Sequence, residues 1–176
     1  MTACQPGDAV AGFPTSAKTP TTTASSSTTL RTCAATALRA TARQAAHRPQ
    51  GTGTGAAIIR FTNTTTKPCI VRGHPEVAGA ANGSPELNVP LKVTPKGPAT
   101  PVRLSPGTHA WLKLIFVQVQ GEGDGYCKSG SAPVIYPTMV IALPGSGSHQ
   151  VALPDGQFAE CDGMVTATAV SAVKPS

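Results

Sequence analysis

Apolar and polar residues alternate with a period of two through much of the chain beyond residue 55, the mark of strands buried on one face. Over Ala56–Asn63, Ala57, Ile59 and Phe61 face one way and Ile58, Arg60 and Thr62 the other. Residues 38–43 alternate weakly and fit a strand or a helical turn, and residues 69–72 form a short strand after the polar turn 63–68. Residues 77–81 end at Asn82-Gly83, a tight-turn dipeptide. Leu87, Val89, Leu91 and Val93 alternate with Asn88, Pro90 and Lys92; a mid-strand Pro90 has no N–H to give, which predicts an edge strand. Val102 and Leu104 flank Arg103. Residues 111–119 are the longest and most apolar segment, which predicts a central strand covered on both faces. Residues 139–143 and 150–153 flank the turn PGSGS and predict a hairpin. Residues 164–173 close the pattern, with Val165, Ala167 and Ala169 opposite Thr166 and Thr168. Eight or nine short strands separated by turns, with no long amphipathic helix and no internal repeat, predict an all-β fold of two antiparallel sheets in a sandwich.

Ahead of the strands lies a stretch of a different kind. Residues 14–29, PTSAKTPTTTASSSTT, hold eleven Ser or Thr, two Pro, and no aromatic or large aliphatic side chain. Such a segment cannot bury enough apolar surface to offset about 1–2 kcal/mol of backbone entropy per residue, so it reads as a disordered tether. Met1-Thr2-Ala3-Cys4 resembles the end of a bacterial lipoprotein signal, two small residues before a lipid-bearing Cys, with Met1 where Leu is usual. The expected organisation is a lipobox-like start and tether at 1–32, one folded domain at 33–173 and a short tail at 174–176. The longest apolar run, 110–119, carries Lys113 and falls well short of the ~20 residues a membrane helix needs.

Composition agrees with strands rather than surface helices: 12% charged residues, 4% aromatic, 18 Gly and 17 Pro. The net charge of +6 raises nucleic acid as a partner, but its distribution argues against one. Residues 1–50 hold Lys18, Arg31, Arg39, Arg43 and Arg48 against Asp8, whereas residues 51–176 hold nine basic and seven acidic residues. A nearly neutral body with no basic cluster and no aromatic stacking platform predicts no nucleic-acid binding. The five cysteines include no C-x-x-C pair, so neither a zinc ribbon nor a thioredoxin-like site is indicated. Cys33, Cys69, Cys127 and Cys161 are widely spaced, as two long-range disulfides in an oxidising compartment would require, with three connectivities open.

No chemistry is marked. Gly145-Ser146-Gly147-Ser148 lacks the following helix of a nucleophile elbow. The Gly run 51–55 precedes a strand, whereas phosphate loops precede a helix. His47, His74, His109 and His149 share no metal-ligand spacing and read as surface residues. Glu122 and Asp124 supply too few oxygens for calcium, and Asp155, Glu160 and Asp162 are spread across turns. No catalytic residue, metal or cofactor is expected.

In order along the chain stand Cys33, Phe61-Thr62-Asn63, Pro68-Cys69, Gly73-His74-Pro75, Leu104-Ser105-Pro106-Gly107, Ala110, Cys127 and Cys161. Across about residues 33–173 this set resembles the family of exported actinobacterial proteins known as domain of unknown function 4232, with His74 where that family usually has Tyr. The resemblance implies an immunoglobulin-like sandwich, frequently on a lipoprotein or behind a signal peptide, and it implies no activity. Resembling chains keep their cysteine pairs as units, which with the order along the chain implies Cys33–Cys69 and Cys127–Cys161, leaving Cys4 unpaired and a candidate for lipidation. The expected protein is a monomeric, non-catalytic binding module, secreted or lipid-anchored on the outer face of the plasma membrane, that recognises an envelope protein or glycan through its loops. A small exported hydrolase and a structural spacer are the alternatives. The loop 121–133 is the expected contact, with Glu122, Asp124 and Tyr126 as its anchors.

Overall fold

A computed structural model describes residues 29–46, 55–116 and 127–176. Residues 1–28, which hold Cys4 and most of the tether, together with His47, the Gly run 51–54, and Glu122, Asp124 and Tyr126, lie outside the described residues. A single turn of 3₁₀ helix at Ala35–Ala37 leads into the strands. These are β1 (Leu38–Gln44), β2 (Ala56–Asn63), β3 (Cys69–Val71), β4 (Glu76–Ala80), β5 (Asn88–Lys96) and β6 (Val102–Leu104). They continue with β7 (His109–Phe116), β8 (Val134–Tyr136), β9 (Thr138–Leu143), β10 (Gly147–Ala152), β11 (Phe158–Glu160) and β12 (Met164–Thr168). The all-β expectation holds, with twelve strands among the described residues where the alternation gave eight or nine.

Eight of the strands form one mixed sheet in the order β1-β2-β7-β12-β5-β4-β9-β10. Its two ends, β1 and β10, approach each other, so the sheet curls nearly into a barrel. Two small antiparallel pairs, β3 with β6 and β8 with β11, close its flanks. The hairpin expected around PGSGS is β9–β10, in register from Gly147 opposite Leu143 to Ala152 opposite Thr138. The core lies inside the curl, where Ala57, Ile59, Phe61, Leu112, Leu114, Met139, Ile141 and Val165 are buried together.

Four expectations are corrected. β5 is interior, not an edge strand. Its first half pairs antiparallel with β4, Val89 opposite Gly79, and its second half pairs parallel with β12, Lys92 opposite Met164. Lys92 directs its N–H toward β12, donating to Gly163 O at 2.8 Å. Residues two apart in a strand direct N–H groups to the same side. The donor Pro90 lacks therefore falls on the β12 side before that strand begins, and the donor Pro95 lacks falls on the β4 side after that pairing has ended. Each proline sits at a half-edge, which satisfies the rule that suggested an edge. The parallel β5–β12 ladder also makes the sheet mixed rather than antiparallel.

β7 is central, between β2 and β12, but only one of its faces is covered. Ala110, Leu112, Leu114 and Phe116 are buried, while His109, Trp111, Lys113 and Ile115 on the other face are half-exposed. Its expected continuation to residue 119 lies outside the described residues. The last strand is shorter than the span 164–173, ending at Thr168 and resuming as a single bridge between Ser171 and Trp111.

The strands β8 and β11, unmarked by alternation, pack across one flank of the sheet. Tyr136 at the end of β8 lays its ring against the backbone of Gly79, where a Cβ would meet ring carbons at 2.4 Å. Glycine is required there by that close approach.

Candidate functional site

Part of the set that carried the family resemblance, Thr62-Asn63, Pro68-Cys69 and Leu104 to Gly107, meets around one buried side chain. Asn63, fully buried at the end of β2, donates from Nδ2 to Lys67 O (2.8 Å) and Leu104 O (3.1 Å). Its Oδ1 accepts from Thr65 N (2.9 Å) and Thr65 Oγ1 (2.8 Å). Its backbone carbonyl accepts from Gly107 N at 2.9 Å. One side chain thus ties the strand ending in Thr62-Asn63 to the approach to Pro68-Cys69 and to the Leu104-Ser105-Pro106-Gly107 turn. Cys69 pairs opposite Leu104 in the β3–β6 ladder. This constellation is architecture: the Asn63 amide and backbone carbonyl are engaged with other parts of the fold.

The structure bonds Cys33 to Cys69 and Cys127 to Cys161, with Cα–Cα distances of 5.0 and 5.3 Å. The first pins the entry segment to β3, beside hydrogen bonds from Cys33 N to Ile70 O and from Ile70 N to Arg31 O. The second ties residue 127 to the end of β11. Disulfides are compatible with an extracellular protein. No helix among the described residues is long and apolar enough to cross a membrane.

The three described histidines, His74, His109 and His149, are more engaged than free surface residues. His74 is half-buried, with Nε2 at 3.3 Å from Lys96 O. His109 Nδ1 meets Thr62 Oγ1 at 2.9 Å, and its ring stands edge-on to Trp111 at 5.7 Å. His149 stands edge-on to Phe61 at 5.7 Å with Nε2 buried and unpartnered, and burial lowers its pKa. Among the described residues no three His, Cys, Asp or Glu side chains converge as metal ligands.

Of the three carboxylates expected on turns, Glu160 instead lies on β11 and is only 2% exposed. Its Oε2 has no hydrogen-bond partner. Burial pushes the carboxyl above the ordinary carboxylate range; N–H groups of Gly163 and Met164 pull it down, and nearby Asp162 adds to the rise. Burial, with Glu160 adding to it, also raises the Tyr136 hydroxyl. Ser129 Oγ donates to Asp162 Oδ1 beside the Cys127–Cys161 bridge. A carboxyl with a raised folded pKa binds protons better when folded, so its stabilising contribution is full below the unfolded pKa and is lost as pH climbs through the folded value. His149 has the opposite sign, losing stability as pH falls, but it is shared by wild type and any Glu160 variant. Glu160→Gln should therefore raise Tm little at pH 4 and by a few degrees at pH 7, as about 1 kcal/mol would. Thermal melts across that range read it, and a gain independent of pH would contradict the assignment.

The largest feature that sequence reasoning missed is the outer face of β1, β2, β7, β12 and the second half of β5. Residues in register share a face, so the pairings place Arg39 beside Thr62 and His109, and Thr41 beside Arg60 and Trp111. They place Arg43 beside Ile58 and Lys113, and Lys92 and Lys96 beside Met164 and Thr168. Six cations, Arg39, Arg43, Arg60, Lys92, Lys96 and Lys113, thus point outward from strand segments that contain no Asp or Glu. Arg39, Arg43, Lys92 and Lys96 are exposed. Thr41, Thr62, Thr94, Thr166 and Thr168 lie among them. Trp111 packs over a small outer cluster of Ala45, Ala56 and Ile58. At the end of this face lies a groove of about 490 Å³ whose lining includes Lys96, Trp111, Thr168, Ser171 and Lys174. In the middle row, Arg60 Nε and Trp111 Nε1 are buried donors without an acceptor.

No curated protein matches this chain. The sequence pattern of one family, described as Domain of unknown function (DUF4232), matches residues 33–171, the span that holds every described strand, both disulfides and the Asn63 constellation. With that much of its length matched, the chain belongs to the DUF4232 family.

Proposed function

We propose that this protein is a non-catalytic binding module of the cell envelope, and that the cationic outer face of β1, β2, β7, β12 and β5 is its binding surface. The observation that carries the reading is the charge segregation: six cations on one sheet face whose strand segments contain no carboxylate. Lys113 Nζ donates to Ser176 O at 2.6 Å; the other like charges on this β-face cost stability through mutual repulsion, so their collection on one surface favours a partner that neutralises them. The loop 121–133, with Glu122, Asp124 and Tyr126, becomes a secondary contact in this reading. The fold is taken as an immunoglobulin-like sandwich whose halves, β1-β2-β7-β12 and β4-β9-β10, share β5 as the strand that passes between them. The module is placed outside the plasma membrane as a secreted protein or a lipoprotein anchored through Cys4, in keeping with its disulfides and its Ser/Thr-rich tether.

The test compares sedimentation with isolated cell envelopes for wild type and for a variant carrying Arg39→Glu, Arg43→Glu, Lys92→Glu and Lys96→Glu. The variant should bind at least about tenfold more weakly. A control reversing Arg31, Lys67, Arg72 and Arg103, exposed elsewhere, should bind as wild type does. Equal binding by wild type and the face variant would sink the reading. Absence of binding by any of the proteins would favour a spacer.

A further inference from the structure

We infer that the ligand of this face is an acidic polysaccharide, its anionic groups spread over the cationic strands and one sugar ring seated in the groove against Trp111. This rests on the reading of the face as the binding surface and names what it binds.

Three observations converge on that chemistry. The cations are dispersed rather than clustered. Arg39 and Arg43, like Lys92 and Lys96, stand four residues apart on a strand, about 13 Å, and β1 and β5 are separated by about 19 Å across the face. Point charges spaced this way suit a polymer with charge distributed along its length better than one compact anion. Between the cations lie five threonines; the Thr62 and Thr168 hydroxyls already meet His109 Nδ1 and Lys113 N, and those of Thr41, Thr94 and Thr166 can both donate and accept, as sugar hydroxyls require of a partner.

The groove adds an aromatic residue. At about 490 Å³ it falls within the range of small-ligand sites, and Trp111 shares its lining with two cations, Lys96 and Lys174. An indole offers an apolar face to a sugar ring while the lysines meet a carboxylate or sulfate on it.

The same surface is poorly suited to other polyanions. Of the large exposed apolar side chains among the described residues, only Val173 borders it, so it lacks the apolar anchors of a membrane-inserting face. A single tryptophan stacks one ring, whereas single-stranded nucleic acid is held by successive stacked bases.

The test uses the full chain and four probes: polygalacturonate, neutral dextran of similar length, vesicles of phosphatidylglycerol and phosphatidylcholine, and a single-stranded DNA oligonucleotide. Because Trp111 is the chain's one tryptophan, its fluorescence reports the groove directly. Polygalacturonate should bind and shift Trp111 emission, and dextran at equal concentration should do neither. Lys96→Gln with Lys174→Gln should weaken polygalacturonate binding about tenfold, and Trp111→Phe, which keeps an aromatic ring over Ile58, should weaken it less while leaving the fold intact. Preferential binding of vesicles or DNA would overturn the inference, as would polygalacturonate binding with Trp111 emission unmoved and the double variant unaffected. Wild-type binding to isolated envelopes without any affinity for polygalacturonate would reject the acidic sugar and leave the binding face standing.

Discussion

Replacing Cys33 and Cys69 together with Ser should lower the unfolding free energy by about 3–4 kcal/mol, the chain-entropy value for closing a loop of 36 residues. In a chain of this size that is a fall in Tm on the order of 10 °C. The bridge has more than entropy to protect. Cys33 is buried in the main core, and Thr32 bridges to Ile70 immediately beside it, so the disulfide anchors the entry segment to β3. Without it, residues 29–34 keep only the backbone bonds around Ile70, which are open to fraying. Calorimetry of wild type and the double variant under non-reducing conditions measures the effect. A fall of only a degree or two would mean that the unfolded chain is not held by this bridge.

Asn63→Ala should cost about 2–4 kcal/mol. Four side-chain hydrogen bonds disappear, and the Leu104 carbonyl loses its bond to Asn63 at a buried position. Each net bond contributes about 1 kcal/mol, and a stranded buried acceptor adds about 1–3 kcal/mol. Asn63→Asp distinguishes this account from simple loss of volume. The carboxylate still accepts from Thr65, but it turns an oxygen toward the Lys67 and Leu104 carbonyls and buries a charge. It should be at least as destabilising as Ala at neutral pH. Urea unfolding with unchanged m-values reads both, and an Asp variant as stable as wild type would show that the two Nδ2 bonds contribute nothing.

Much of the fold is legible in the sequence because period-two alternation is a local signal. The inward set Ala57, Ile59 and Phe61, the β9–β10 hairpin and the apolar parity of β7 can all be read from a few consecutive residues. What fails is what depends on partners far along the chain. Pro90 signals a missing donor correctly, but only the topology reveals that β5 changes neighbours within two residues of it. The parallel ladder of β5 with β12 joins segments about 70 residues apart, and nothing within either segment announces it. β8 and β11 are three residues long, too short for alternation to register. Glu160 looked like a turn carboxylate because β11 was invisible.

The cationic face was missed for the same reason. Counted along the chain, residues 51–176 are almost neutral, and no two of the six cations are adjacent. A signal was present in parity. Arg39 and Arg43, Arg60, Lys92 and Lys96, and Lys113 each occupy the polar phase of their strand, and none of those segments places a carboxylate on that phase. Neutrality of the whole body conceals this, because the acids Glu76, Glu86, Asp155, Glu160 and Asp162 all lie on other segments. Charge counted by strand face, rather than by segment, would have found it.

The central claim is that the face works by neutralising a polyanion, and counterion release tests it most directly. Kd for polygalacturonate measured by calorimetry between 50 and 300 mM NaCl should give a linear fall of log affinity with log salt, with a slope that corresponds to several ion contacts. Reversing Arg39, Arg43, Lys92 and Lys96 should flatten that slope together with the loss of affinity. An affinity that does not change with salt, or a slope the same in wild type and the reversed variant, would contradict the account.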